Sequence, residues 1–172
     1  TDDGLIQLTR DDGKSWSNVT PKGLPEWAMV SLIEPSPFDA GTAYAAVDAH
    51  KLDNFKPYIF KTTDFGKTWS TLTNGLPDGS YVHVVREDPK RKGMLYAGTE
   101  TGIWVSFDYG SHWQSLQLDL PTTPIHDLII HDDDLVVATH GRSFWSLDKI
   151  EPLRQIKSGI MNEDARLFAP ST

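Results

Sequence analysis

Thr9-Arg-Asp-Asp-Gly-Lys-Ser-Trp16, Thr62-Thr-Asp-Phe-Gly-Lys-Thr-Trp69 and Ser106-Phe-Asp-Tyr-Gly-Ser-His-Trp113 share one form, Ser/Thr-x-Asp-x-Gly-x-x-Trp. Their aspartates stand 53 and 44 residues apart, a period that accommodates about four strands of a propeller blade. Each octapeptide reads as a turn. Asp11, Asp64 and Asp108 accept N–H bonds from the residues that follow, and Gly13, Gly66 and Gly110 take positive φ. Trp16, Trp69 and Trp113 then restart the chain with a large apolar face, which the repeat position assigns to packing between blades or under the turn. Alternating or fully apolar segments precede the turns: Leu5-Ile-Gln-Leu8, Tyr58-Ile-Phe-Lys61 and Gly102-Ile-Trp-Val105.

The rest of the period repeats as well. Val30-Ser-Leu-Ile-Glu-Pro35, Val82-His-Val-Val-Arg86 and Ile125-His-Asp-Leu-Ile-Ile130 form one strand type, each followed by a polar turn. Thr42-Ala-Tyr-Ala-Ala-Val47, Met94-Leu-Tyr-Ala-Gly98 and Leu135-Val-Val-Ala-Thr139 form a second, with the small apolar residues of a strand packed on both faces. Each unit thus reads as strands A, B, C and D with the octapeptide between C and D. The expected fold is all-β, a fragment of a β-propeller. It has strands C and D of a first blade, two whole antiparallel blades near 28–73 and 81–118, and strands A to C of a last one near 125–147. Ser143-Phe-Trp-Ser-Leu-Asp148 keeps strand C there but has lost the Gly and Trp of the octapeptide. The blades occupy 1–150, and 151–172 is a tail or the start of a following segment, with room for a short helix before Leu167-Phe-Ala-Pro170. So few blades do not close a ring. The expected partners are therefore the remaining blades of a larger protein or further copies of this chain.

The three octapeptides, with Leu135-Val-Val-Ala-Thr-His-Gly-Arg-Ser-Phe-Trp-Ser-Leu-Asp148, Leu153-Arg154 and Leu167-Phe-Ala-Pro170, resemble the Asp-box, or bacterial neuraminidase, repeats of sortilin-type propeller proteins. The resemblance covers nearly the whole chain. It implies the propeller fold and leaves activity open, because similar repeats occur in sialidases, xyloglucanase-type glycoside hydrolases, sortilin-like receptors and photosystem assembly factors. It also implies that the octapeptide aspartates lie away from any active site, and that the parent protein is bacterial, extracellular or periplasmic.

With a formal net charge of −8 and a pI near 5.1, the chain lacks the basic footprint of a nucleic-acid binder. Lys90-Arg91-Lys92 reads as a solvated turn. There is no cysteine, no run long and apolar enough for a membrane span, and no Gly-rich phosphate loop, nucleophile elbow or zinc-helix motif. No cofactor or metal is expected: His83, His126 and His140 can converge near the axis, but no metal-ligand spacing supports a centre, and Asp132-Asp133-Asp134 reads as an acidic hairpin turn.

A carboxylate that recurs once per blade stabilises a turn, so no catalytic residue is assigned. The face opposite the C-to-D turns collects the residues outside the repeat. Trp27, Asp48, His50, Tyr58, Asp127, His140 and Arg142 form a possible ligand face for carbohydrate or peptide, centred on the long insert 48–58. The expected function is a non-catalytic binding or assembly scaffold. The alternative is part of a secreted glycoside hydrolase completed by other blades, for which Glu26, Asp48, Asp78, Glu100 and Asp127 are the available carboxylates. Sialidase chemistry needs several arginines around the substrate, and of the arginines only Arg142 is placed on that face.

Overall fold

The computed structural model describes residues 1–157 and 165–170. The part of the tail at 158–164 and 171–172 lies outside the described residues. Among the described residues, thirteen strands form four antiparallel sheets in chain order. A first pair joins β1 (Gln7–Leu8) to β2 (Ser17–Asn18). The second sheet runs β3 (Met29–Pro35), β4 (Ala43–Asp48), β5 (Tyr58–Thr62) and β6 (Ser70–Thr71). The third repeats it as β7 (Val82–Glu87), β8 (Leu95–Thr99), β9 (Gly102–Ser106) and β10 (Gln114–Ser115). The fourth has three strands, β11 (Ile125–His131), β12 (Asp134–Thr139) and β13 (Phe144–Leu147). This is the expected fragment of a propeller, with its partial, whole, whole and partial blades.

The core divides into three clusters, one for each junction between neighbouring sheets. Ile6, Val30, Val47 and Phe60 join the first sheet to the second, and Tyr44, Ile59, Val82, Leu95 and Trp113 join the second to the third. Val84, Met94, Tyr96, Val105, Ile125 and Leu135 join the third to the fourth. Burial on both faces explains the small residues of strand B. A Cβ at Gly98 would stand 2.6 Å from Val84 Cγ1 and 2.7 Å from Ile125 Cγ2, so a side chain there would separate the blades.

The octapeptides are turns, as their residues imply, and also staples between blades. Asp11, Asp64 and Asp108 accept the N–H of Ser15, Thr68 and His112 at 2.8–2.9 Å. The leading Thr9, Thr62 and Ser106 hydroxyls accept the glycine N–H at 2.8–2.9 Å. Both central residues of each turn have positive φ, including Asp12, Phe65 and Tyr109, a conformation that disfavours the two aromatic residues. Backbone bonds from Phe65 N to Gly41 O and from Tyr109 N to Gly93 O hold that geometry by tying each turn to the A-to-B hairpin of its own blade.

The tryptophans reach the preceding blade. Trp69 Nε1 donates to Val19 O at 2.7 Å, and Trp113 Nε1 donates to Leu72 O at 2.8 Å. Val19 and Leu72 each follow the D strand of the blade before, and they also crowd Gly66 and Gly110 so closely that a Cβ there would stand 2.7 and 2.6 Å away. Trp16 departs from the expected core packing. It is 60% exposed and its indole bonds to Gly13 O of its own turn rather than to a carbonyl of another blade.

The last blade closes differently. Ser146 Oγ still donates to Asp148 at 2.7 Å, the remnant of an octapeptide. The chain then enters the short helix α1 (Glu151–Arg154), anchored by buried Ile150. Arg154 pairs with Asp88 and Asp133, while Lys90 pairs with Asp133 and Arg91 donates to Leu153 O. Lys90 and Arg91 are therefore not simply solvated: with Arg154 they clamp the A-to-B hairpins of the third and fourth blades.

Candidate functional site

Every strand A carries a one-residue register shift, at Ser31, His83 and His126. Such bulges re-aim a side chain out of the sheet alternation. Two of them turn imidazoles toward each other on the face opposite the octapeptides. The ring centroids of His83 and His126 lie 4.6 Å apart and nearly parallel, and His140 follows His126 at 5.0 Å. On the other side Tyr81 meets His83 edge-on at 5.2 Å and stacks on His50 at 4.9 Å, with Phe55 at 6.2 Å from Tyr81. Six rings from three blades thus form one continuous row.

Two carboxylates frame the row. Buried Asp48 faces His50 Nδ1 with both oxygens, at 2.7 and 2.8 Å, and accepts the His50 backbone N–H at 2.9 Å. Its second oxygen lies 3.9 Å from His83 Nδ1, while Glu100 Oε2 lies 3.2 Å from His83 Nε2. His83 is therefore held between two acidic groups. Burial, then the hydrogen bond and charge of Glu100, push the Tyr81 phenol up to about 12. Burial, reinforced by His83 and His140, lowers the His126 imidazole, so that ring favours its neutral form.

The expected ligand residues separate into two groups. Trp27, Asp48 and His50 line one small crevice beside the row with Asp2, Met29 and Leu52. Trp27 stands 70% exposed at positive φ. His140 forms the far end of the row. Tyr58 instead packs near Phe60, at 6.3 Å, and accepts a bond from Asn54. Asp127 turns from the row to pair with Arg86, which also holds Glu34 and Leu128 O across three inner strands. Arg142 lies on the exposed loop between β12 and β13, where its carbonyl accepts the Trp145 indole N–H at 2.9 Å. His83, His126 and His140 converge as a stack of ring faces, and among the described residues no three His, Cys, Asp or Glu side chains are grouped to hold a metal ion. Tyr81 and Phe55 complete the row, with Glu100 beside His83. The repeat alignment held a signal for it: His83 and His126 occupy the same position in successive A strands.

No helix among the described residues is long and apolar enough to cross a membrane. No family model matches the chain. It is 35% identical over 100 residues to a vacuolar protein sorting/targeting protein 10 of Laccaria bicolor, covering 56% of this chain and 6% of that protein. It is 29% identical over 129 residues to a xyloglucanase of a Paenibacillus species, covering 67% of this chain and 13% of the enzyme. The chain therefore spans only a small part of the length of these curated relatives. Among solved structures, YCF48 bound to D1 peptide superposes with a TM-score of 0.61 at 19% identity, over 85% of this chain and 46% of that one. The GH74 xyloglucanase of Xanthomonas campestris superposes with a TM-score of 0.62 at 20% identity, over 85% of this chain and 24% of the other. With the four antiparallel sheets, these likenesses identify the chain as a fragment of a β-propeller, similar in sequence both to sortilin-like sorting proteins and to xyloglucanases.

Proposed function

We propose that this chain is a non-catalytic binding module of a larger propeller protein of the Asp-box type, and that its ring-lined face receives an extended peptide. The observation that carries this reading is the way the six rings contact one another. Stacking of His50 on Tyr81 and of His83 on His126 uses ring faces inside the row. What remains for a ligand is largely ring edges, which offer N–H and O–H groups suited to the carbonyls and polar side chains of a peptide. A pyranose stacks on an open aromatic face, and Trp27 is the expected ligand residue that offers one most fully. Three of the five carboxylates open to a hydrolase are engaged: Asp48 with His50, Glu100 with His83, and Asp127 with Arg86.

The similarity to xyloglucanases supports the second reading, a part of a glycoside hydrolase whose site other blades complete. Either parent would work outside the cytoplasm, in an extracellular or periplasmic setting. An array of decapeptides and a set of xyloglucan oligosaccharides, each tested against the purified chain, separate the two. The expected result is peptide binding that Tyr81→Ala or His83→Ala abolishes and Trp16→Ala leaves intact, with no sugar released. Hydrolysis of xyloglucan that disappears in Asp48→Asn would replace the binding role with the catalytic one.

A further inference from the structure

The second and third blades meet around a cavity of about 180 Å³ on the octapeptide side of the sheets, lined by Thr42, Tyr44, Lys61, Glu87 and Tyr109 with Asp39 and Lys92 at its exposed mouth. Strand register shows what the same slot contains one junction later. Lys61 pairs with Tyr44 across β5 and β4, as Val105 pairs with Tyr96 across β9 and β8. Glu87 opposes Leu95 on the next A strand, as Ile130 opposes Leu135. Where the third and fourth blades meet, Tyr96, Val105 and Ile130 pack into the apolar core. Between the second and third blades the equivalent positions are an ammonium and a carboxylate, and the slot is open.

Neither charge is satisfied by the other. Glu87 is only 3% exposed; its Oε1 accepts the Gly93 N–H at 2.8 Å, and its buried Oε2 has no hydrogen-bond partner. Lys61 Nζ stands 5.7 Å from the Tyr44 ring centroid and 4.9 Å from that of Tyr109, and it feels Glu87 through space. Burial lowers the Lys61 ammonium; burial first, then the charge of Glu87 and a weak hydrogen-bonding approach of the Tyr44 hydroxyl to that carboxylate, raise the Tyr44 phenol. A buried carboxylate oxygen without a partner is costly, and an apolar pair fills this slot at the next junction. Charge at this place is thus not required by blade packing.

We propose that this cavity binds a small zwitterion, whose ammonium bonds Glu87 Oε2 and whose carboxylate meets Lys61. The lining supports a neutral, dipolar guest: two cations, Lys61 and Lys92, balance two carboxylates, Glu87 and Asp39. The volume accommodates several waters or one compact organic molecule of this kind.

Titration of the whole chain with glycine and with γ-aminobutyrate, followed by amide NMR, tests the assignment. Gly93 reports directly, since its N–H is bonded to Glu87. The expected result is a saturable shift of the Gly93 resonance with at least one of the two, weakened about tenfold or more in Lys61→Val and in Glu87→Gln. Glu87→Gln keeps an acceptor for Gly93 and so preserves the local fold, and Tyr81→Ala on the opposite face should leave the titration unchanged. Methylammonium or acetate alone should bind about tenfold more weakly than the zwitterion. Equal shifts from these half-molecules, or a response to both zwitterions no different from that to sodium chloride, would overturn the proposal.

Discussion

Thr62 supports its turn through one hydroxyl, which donates to Asp64 Oδ1 at 2.9 Å and accepts the buried Gly66 N–H at 2.8 Å. Thr62→Val keeps the shape and leaves that donor unpaired, so it should destabilise the chain by about 1–3 kcal/mol. Urea denaturation should show a lower midpoint at unchanged slope; an unchanged midpoint would mean that the glycine N–H finds another partner. Asp64 adds a pH dependence. The Thr68 hydroxyl and N–H, with smaller help from Thr62, lower its carboxyl from 3.8 to about 2. A folded-state value below the unfolded one favours the folded chain at high pH, so this contribution is complete above pH ~4 and lost as pH falls through ~2. Thermal melts between these limits should show a falling Tm, with a shallower fall in Asp64→Asn. Equal slopes for the two proteins would assign the acid sensitivity to other carboxylates. His126 acts with the same sign at higher pH, because its imidazole is also lowered, by burial first and by its neighbouring imidazoles second. Its neutral form is fully favoured above about pH 6.5, the unfolded value, and this contribution disappears as pH falls through the folded one.

At the scale of strands and turns, one octapeptide serves two environments, and the tryptophans separate them. Trp113 is 2% exposed and bonded to Leu72 O, whereas Trp16 is 60% exposed. Trp113→Ala should therefore cost about 3–5 kcal/mol, and Trp16→Ala should stay within about 0.5 kcal/mol of wild type. Matching losses of stability would show that the indole acts within its own turn rather than between blades. This contrast also marks how far the sequence could be read. The all-β fold and its antiparallel strands were legible because strand alternation and turn residues are local and recur with the octapeptides. The link from Trp69 to Val19 spans 50 positions, and the one from Trp113 to Leu72 spans 41, so no pattern within an octapeptide reveals them. The ring row was only partly legible for the same reason. His50 and His140 stood out as loop residues, but their ring contacts through Tyr81, His83 and His126 appear only once the blades are stacked, while Tyr58 and Asp127 meet Asn54 and Arg86. Lys61 and Glu87 gave no signal, since each is an ordinary strand residue until compared with its counterpart one blade later.

For the molecule as a whole, the two end blades decide its behaviour in solution. Helix α1 and the Arg154 cluster secure the A-to-B hairpins of the third and fourth blades, but they do not line the groove between those blades. There Ile103, Leu116, Leu118, Leu120, Leu135 and Trp145 surround about 250 Å³ of mostly apolar space, at the position corresponding to that which Trp113 fills one junction earlier. Beside it, among the described residues, β13 pairs only with β12, so its outer edge has no neighbouring strand there, and Phe144 and Leu118 are strongly exposed. Leu5 and Trp16 expose a second apolar surface on the first blade. A strand edge flanked by apolar side chains favours association, and burying apolar surface contributes roughly 25 cal/mol per Å² before the cost of bringing chains together. The chain made alone should therefore self-associate, its mass by light scattering rising across a micromolar concentration series. Phe144→Lys combined with Leu118→Lys places two charges at this edge and should move the distribution toward monomer without loss of fold. A wild-type mass that stays monomeric over the whole series would show that these apolar surfaces are compatible with an isolated chain, and the open groove would then have no role in assembly.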